Sequence, residues 1–318
     1  MAMPARLQLP VEGNLASFGG ATQWLNSAPL KTGALRGKVV LVNFWTYTCI
    51  NWLRSLPYVR AWSEKYREQG LVVIGVHSPE FDFERNLDNV RRAVEEMRVG
   101  YPVAVDNNHT VWRAFNNQSW PASYFADAQG NIRYHRFGEG DYERSERVNQ
   151  QLLAESGARD AGSGLVAIDA RGVEAPADWK NLQSPENYLG TGRSENRDRA
   201  NSVPLKLNHW SPSGDWKLRL DAIVLSRANG RIAYRFHARD VHLVMGPAAR
   251  GSTVRFRVRL DGQPPADAHG DDVDPQGNGT VTGQRLYQLI RQPGPIADRQ
   301  FEIEFMDPNV EAFSFTFG

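Results

Sequence analysis

One cysteine, Cys49, stands in a chain of 318 residues, and its setting is one in which a thiol does chemistry. Residues 39–45, VVLVNFW, form a short β-branched run of the kind expected for a strand buried on both faces. Beyond Cys49 the apolar positions Leu53, Leu56, Val59 and Trp62 recur at near-helical spacing, and Gly70 is the natural stop of a helix over 50–69. A thiol at this strand-to-helix junction sits at a helix N-terminus. There the unpaired N–H groups, supplied here by Asn51 and Trp52, and the helix dipole favour the thiolate. The thiolate is the nucleophile of disulfide exchange and of peroxide reduction. The competing role for a lone cysteine is that of a small buried hydrophobe.

Other chemistry-bearing groups are less promising. The seven histidines show no metal-ligand spacing, and His237 and His242, five apart on a strand pattern, face opposite sides. Asp272, Asp274 and Gln276 before Gly277 are spaced like a calcium loop, yet the twelfth position is Gly283 instead of a bidentate glutamate. An acidic turn is expected there, with no metal and no cofactor. The 37 basic and 36 acidic residues are interspersed, so no electrostatic footprint for nucleic acid appears. There is no run of 18 apolar residues and no apolar stretch of signal-peptide length near the start. As written the chain is expected to be cytoplasmic without a transmembrane segment; a trimmed N-terminus would make a periplasmic or extracytoplasmic setting equally consistent. One cysteine also rules out an internal disulfide.

The elements that must position Cys49 follow from periodicity. A second buried strand, Leu71 to His77, precedes a helical pattern over Phe83 to Arg98, with Leu87, Val90, Val94 and Met97 on one face. A strand from Tyr101 to Asp106 and a short helix from Thr110 to Phe115 come next. This β-α-β-α-β alternation predicts a parallel sheet with helices on both faces. The strands Ala122–Ala126 and Ile132–Phe137, joined by Asp-Ala-Gln-Gly, then form an antiparallel hairpin, and a helix from Tyr142 to Glu155 closes the unit. Pro57 predicts a kink in the Cys49 helix. Residues 157–180 read as a linker in which Leu165–Ile168 is a candidate strand. From 181 onward, helical signals give way to two-residue alternation, as in Trp216, Leu218, Leu220 or Ile232, Tyr234, Phe236. The expected organisation is an α/β domain over 1–156, a linker over 157–180, and an all-β sandwich or jelly roll over 181–318.

Several segments carry a family resemblance: "VVLVNFWTYTCINWLRSLPYVRAW", "LVVIGVHSPEFDFE", "YPVAVDNNHTVW", "WPASYF" and "FGEGDY". Together they resemble the thioredoxin-like domain of TlpA-type and, most closely, DipZ-type cytochrome c biogenesis proteins. "SPENYLG" and the closing "FSFTFG" extend the likeness through the second half. It implies a thioredoxin fold in the thiol-disulfide oxidoreductase class, a cis-proline at Pro121 held against Cys49, and a C-terminal domain like a carbohydrate-binding module. One departure governs the chemistry. Redox-active members carry a second cysteine three residues after the first, and in "CINW" that position is Trp52. A closed dithiol cycle is therefore excluded, and any turnover is monothiol.

On this reading Cys49 is the nucleophile. Glu80, in "HSPEF", is a candidate proton relay because the family keeps an acidic residue near the thiol. Trp45, Asn51, Trp52, Trp120 and Pro121 are candidates for the substrate groove. Thr46 matches the threonine of peroxiredoxin-like proteins, although the proline opening their motif is replaced by Val42. The expected partners are protein thiols or disulfides, or glutathione. Trp179, Tyr188, Trp210 and Trp216 are candidate sugar platforms for a glycan. Two other functions stay open: a redox-inactive module binding protein segments or glycans, and a one-cysteine peroxide-reducing redoxin.

Overall fold

The computed structural model describes residues 6–158, 164–199 and 204–318. The chain divides into two compact units, Met1–Ala170 and Arg171–Gly318.

In the first unit the strands are β1 (Gly13–Asn14), β2 (Gln23–Leu25), β3 (Val39–Trp45), β4 (Leu71–His77), β5 (Val103–Val105), β6 (Ala122–Ala126) and β7 (Asn131–Phe137). The helices are α1 (Ile50–Tyr66), α2 (Leu87–Glu96), α3 (Thr110–Ala114) and α4 (Tyr142–Glu155). The strands form one mixed sheet in the order β1-β7-β6-β3-β4-β5-β2. Its centre is parallel across β3, β4 and β5, whereas β6 and β7 join as an antiparallel hairpin beside β3. The alternation of elements predicted the parallel centre and the hairpin, and the whole is the thioredoxin arrangement that the family resemblance implies.

β3 is buried along its whole length, as a strand covered on both faces must be. Val40, Val42 and Phe44 enter one apolar cluster with Ile74, Val76 and Ala104. The other phase of the strand, ending in Asn43 and Trp45, faces α1, whose Trp52 contacts both. α1 continues through Pro57 as one helix to Tyr66. Its expected stripe, Leu53, Leu56, Val59 and Trp62, is buried.

Two local readings need correction, and two short strands were not expected. The helix expected over 83–98 is broken at Asn86, whose side chain accepts the N–H groups of Asp88 and Asn89 and caps α2 at Leu87. Residues Asp82–Arg85 before it form a separate 3-10 turn. The edge strands β1 and β2 gave no periodic signal because they are only two and three residues long. Leu165–Ile168 is not a strand. Instead, the Val166 N–H donates to the Glu146 carboxylate, and Gly164 accepts from Gln150, which ties 164–166 to the first unit.

The second unit is all β. One sheet runs β10 (Trp216–Leu218), β11 (Ile223–Leu225), β18 (Val310–Phe317), β13 (Asp240–Pro247) and β16 (Arg285–Arg291), with β8 (Asn187–Tyr188) also on β18. The other runs β15 (Asn278–Val281), β14 (Val254–Leu260), β17 (Arg299–Phe305), β12 (Gly230–Phe236) and β9 (Trp210–Ser213). Their paired strands are antiparallel. Ile232, Tyr234 and Phe236 from one sheet share a core with Leu243, Phe315 and Phe317 from the other, the packing of a sandwich. The alternation read through Trp216, Leu218 and Leu220 does not hold. Leu218 and Leu220 are exposed because β10 is an edge strand that ends at Leu218, leaving Trp216 alone to pack inward against Phe305.

Candidate functional site

Cys49 is the N-cap of α1. Its backbone is extended (φ −76°, ψ 109°), and its carbonyl accepts the first helical bond from Leu53 N–H at 3.0 Å. The turn leading to it is held by Cys49 N–H donating to the Thr46 carbonyl at 3.3 Å. The thiol is half-buried, and Sγ lies 3.7 Å from the Trp120 carbonyl oxygen. The Trp120–Pro121 bond is cis. Trp120 is fixed by its indole N–H, which donates to the Ser78 carbonyl at 3.0 Å, and by packing on Trp112 at 4.3 Å. Asn51, in the first turn of α1, is half-buried. The sheet thus brings Cys49, Asn51, Trp120 and Pro121 to one edge.

Trp45 and Trp52 belong to the floor beneath that edge and do not line a groove. Both are 0% exposed, and their rings stack at 4.3 Å with 22° between the planes. The Trp52 indole N–H donates to Asn43 Oδ1 at 2.9 Å, while Asn43 Nδ2 donates to Ser123 Oγ. An indole N–H is costly to bury without an acceptor, so Asn43 makes this tryptophan tolerable. His77 packs edge-on to Trp45 at 4.9 Å, and burial drives its pKa down to about 3, which keeps the ring neutral.

The buried acid of the site is Glu84. Its side chain is fully enclosed, with Oε1 accepting the Thr48 hydroxyl at 2.6 Å and Oε2 accepting the Glu80 and Phe81 N–H groups at 2.6 and 2.9 Å. Burial pushes the carboxyl up to about 7, against the hydroxyls of Thr46 and Thr48 and the Phe81 N–H, which favour the anion. Thr46 itself is wholly buried, and its hydroxyl completes no hydrogen bond of good geometry. Glu80 is half-buried and contributes its backbone amide to the Glu84 cradle. Sequence reasoning missed Glu84 because a continuous helix over 83–98 gives no sign that the 82–85 segment folds separately and encloses this carboxylate. The available signal was Asn86, a strong capping residue that separates the 82–85 turn from α2.

Elsewhere, Trp210 is fully buried with its N–H on the Glu195 carbonyl and offers no sugar platform. The Arg193 guanidinium lies 3.3 Å over the Tyr188 ring, and Trp216 is partly buried, whereas Trp179 is 58% exposed. Asp272 accepts from Arg285 and from the Gln288 N–H, and Asp274 accepts the Asn278 N–H, so these acids brace a turn. No cluster of three or more metal-ligating side chains occurs among the described residues, and no described helix is long and apolar enough to cross a membrane.

Residues 18–135 match the AhpC/TSA family, and residues 184–318 match the thioredoxin-like C-terminal domain family. The DipZ proteins of Mycobacterium tuberculosis and Mycobacterium bovis are each 33% identical over 327 residues, taking in 98% of this chain and 44% of theirs. The chain therefore spans less than half the length of those relatives. The thiol-disulfide oxidoreductase YkuV of Bacillus subtilis is 28% identical over 137 residues, 43% of this chain and 92% of its own length. The mixed sheet, the cysteine at the head of α1 facing a cis-proline, and a likeness to DipZ through both units together support a thioredoxin-like chain similar to the TlpA/DipZ type.

Proposed function

We propose that the first unit carries out monothiol disulfide exchange at Cys49. The observation that carries this reading is a half-exposed thiol at the start of α1, 3.7 Å from the carbonyl before a cis-proline, with buried Trp52 where a second thiol would stand. Helix N–H groups and the dipole stabilise the thiolate at that position. The Cys49 thiolate attacks one sulfur of a protein or glutathione disulfide, the S–S bond breaks, and the other sulfur leaves as a thiolate. The product is a mixed disulfide on Cys49. With no second cysteine in the chain, an external thiol, glutathione or a protein thiol, attacks that bond and returns Cys49 to its thiolate. Asn51 and Pro121 border the site, and Trp120 offers its half-exposed edge to the substrate.

Glu84 is the group best suited to hold a proton during the cycle. Its carboxyl titrates near neutrality and is tied to the backbone beside Cys49 through Thr48. Glu80 takes the lesser role of donating an amide to Glu84. Protein thiols are the substrates most in keeping with the oxidoreductase relatives. The rival binding-module reading shares the buried Trp52 but gives Cys49 no turnover. The peroxide-reducing reading draws no support from Thr46, whose hydroxyl is enclosed away from the surface. Alkylation of Cys49 across pH, with turnover of a glutathionylated substrate by reduced glutathione, tests the proposal. Exchange requires alkylation faster than for the unfolded chain and turnover abolished by Cys49→Ser. A folded protein alkylated no faster than its unfolded form, and without turnover, overturns it.

A further inference from the structure

The fifth residue of α1, five positions after Cys49, is an arginine that faces inward. The Arg54 side chain is 2% exposed, and its Nη1 lies 3.1 Å from Oε1 of Glu139, which is 8% exposed. Glu139 comes from the "FGEGDY" segment that links β7 to α4. Two glycines flank it, Gly138 at φ +75° and Gly140 at φ +90°, backbone conformations that a side chain at either position would strain. They turn the chain so that the single carboxylate between them enters the protein. Gly138 N–H donates to the Pro121 carbonyl at 2.8 Å, and Arg136 donates to the Glu139 carbonyl at 2.9 Å. One turn further along α1, Tyr58 stacks on Tyr142 at 3.7 Å, just beyond the same loop.

A nearly enclosed ion pair on the margin of a groove is a poor investment in stability, since two charges must be desolvated for it. Its value lies in geometry: a planar guanidinium bonded to a carboxylate fixes direction as well as distance. Here it joins the helix bearing the nucleophile to the loop hydrogen-bonded to the cis-proline.

We infer that the Arg54–Glu139 pair is the positioning element of the substrate groove, holding the 138–140 loop and, through it, Pro121 in register with the helix that begins at Cys49. The inference rests on the exchange reading above and adds to it a statement about large substrates. An extended polypeptide disulfide needs Cys49, Pro121 and the loop at fixed spacing, whereas a small disulfide needs the thiolate alone. Burial raises the Glu139 carboxyl pKa, against the pull of Arg54, so the ionised pair is held at a desolvation cost.

The test compares two probes on the full chain, dithionitrobenzoate and an extended cysteine peptide activated as its thionitrobenzoate disulfide. In both, the Cys49 thiolate displaces the thionitrobenzoate thiolate, whose colour is read by stopped flow. Glu139→Gln is expected to lower the ratio of the peptide rate to the small-probe rate by about tenfold, with Glu139→Asp recovering part of it. If Glu139→Gln fails to fold, Arg54→Lys is measured in its place; it keeps the charge, loses the planar fork, and is expected to lower the same ratio. A ratio unchanged in the folded variant overturns the inference, as does an equal fall with both probes. If the unmodified chain reacts with neither probe faster than its unfolded form, the exchange reading itself fails.

Discussion

Replacing Trp52 with cysteine would write the missing second thiol back into the sequence, and the structure predicts that the variant pays heavily for it. Trp52 is wholly buried, stacked at 4.3 Å on Trp45 and bonded at 2.9 Å to Asn43. Truncating a buried tryptophan costs about 3–5 kcal/mol, of which a cysteine side chain returns only a small part. The stranded Asn43 carbonyl adds about 1–3 kcal/mol when nothing replaces the indole N–H. A loss of about 4–7 kcal/mol is thus expected, against a typical total stability of about 5–15 kcal/mol. Urea unfolding under reducing conditions measures it. Trp52→Phe, which keeps most of the ring and loses the hydrogen bond, should cost about 1–3 kcal/mol. In the background of Asn43→Leu the extra penalty for losing the N–H should shrink, a coupling that a double-mutant cycle reads directly. A Trp52→Cys protein within about 1 kcal/mol of the parent that also closes an internal disulfide with Cys49 would refute the reasoning, because Trp52 would then be a passive filler.

Three further perturbations follow from the same geometry. Glu84 has a folded-state pKa of about 7, above the ordinary 4.5, so the folded state holds its proton more tightly. The stability this contributes is full below about pH 4.5 and is lost as pH rises through 7, a span of about 3 kcal/mol. Glu84→Gln should remove that pH-dependent loss, measured as the difference in unfolding free energy between pH 5 and pH 8, together with any step near pH 7 in the Cys49 alkylation profile. Glu146 accepts from Lys65, the Tyr66 hydroxyl and the Val166 N–H, and these bonds hold its pKa below the ordinary value despite burial. Glu146→Ala should release 164–166, seen as faster amide exchange at Val166 and faster proteolysis there, with the parent showing the same release as pH falls through the Glu146 pKa. A Cβ added at Gly75 would lie 2.9 Å from Trp45 Nε1 and 3.0 Å from Tyr101 Cε2. Gly75→Ala should therefore cost about 1–3 kcal/mol in thermal or urea unfolding, through strain on the Trp45–Trp52 stack.

The parts of this fold that were legible in the sequence are those with long or repeated apolar patterns. β3 announced itself by an unbroken β-branched run, α1 by its stripe from Leu53 to Trp62, and the β6–β7 hairpin by a turn between two short runs. Proximity through the fold was less accessible. Glu84 and Glu80 lie in one stretch, and only the separate 3-10 turn ending at Asn86 decides which carboxylate is enclosed. Arg54 and Glu139 are separated by 85 positions, and nothing local in either segment names the other. Trp52 was recognised as the residue in the second thiol's place, but its stacking on Trp45 and its acceptor Asn43 both come from one face of β3, across a helix–strand contact that the sequence does not announce. Leu218 and Leu220 show the reverse failure: an apparent alternation that the sheet does not use, because the edge strand ends at Leu218 and leaves both residues exposed.

A working monothiol at Cys49 must both form a mixed disulfide and release it. Intact-mass analysis of the chain after brief exposure to oxidised glutathione, followed by reduced glutathione, reads both steps. One glutathionyl group per chain, mapped to Cys49, is expected, formed faster than on the unfolded protein and released by reduced glutathione over repeated cycles. Absence of the adduct on the folded chain, or an adduct that reduced glutathione does not remove, would overturn monothiol exchange at Cys49.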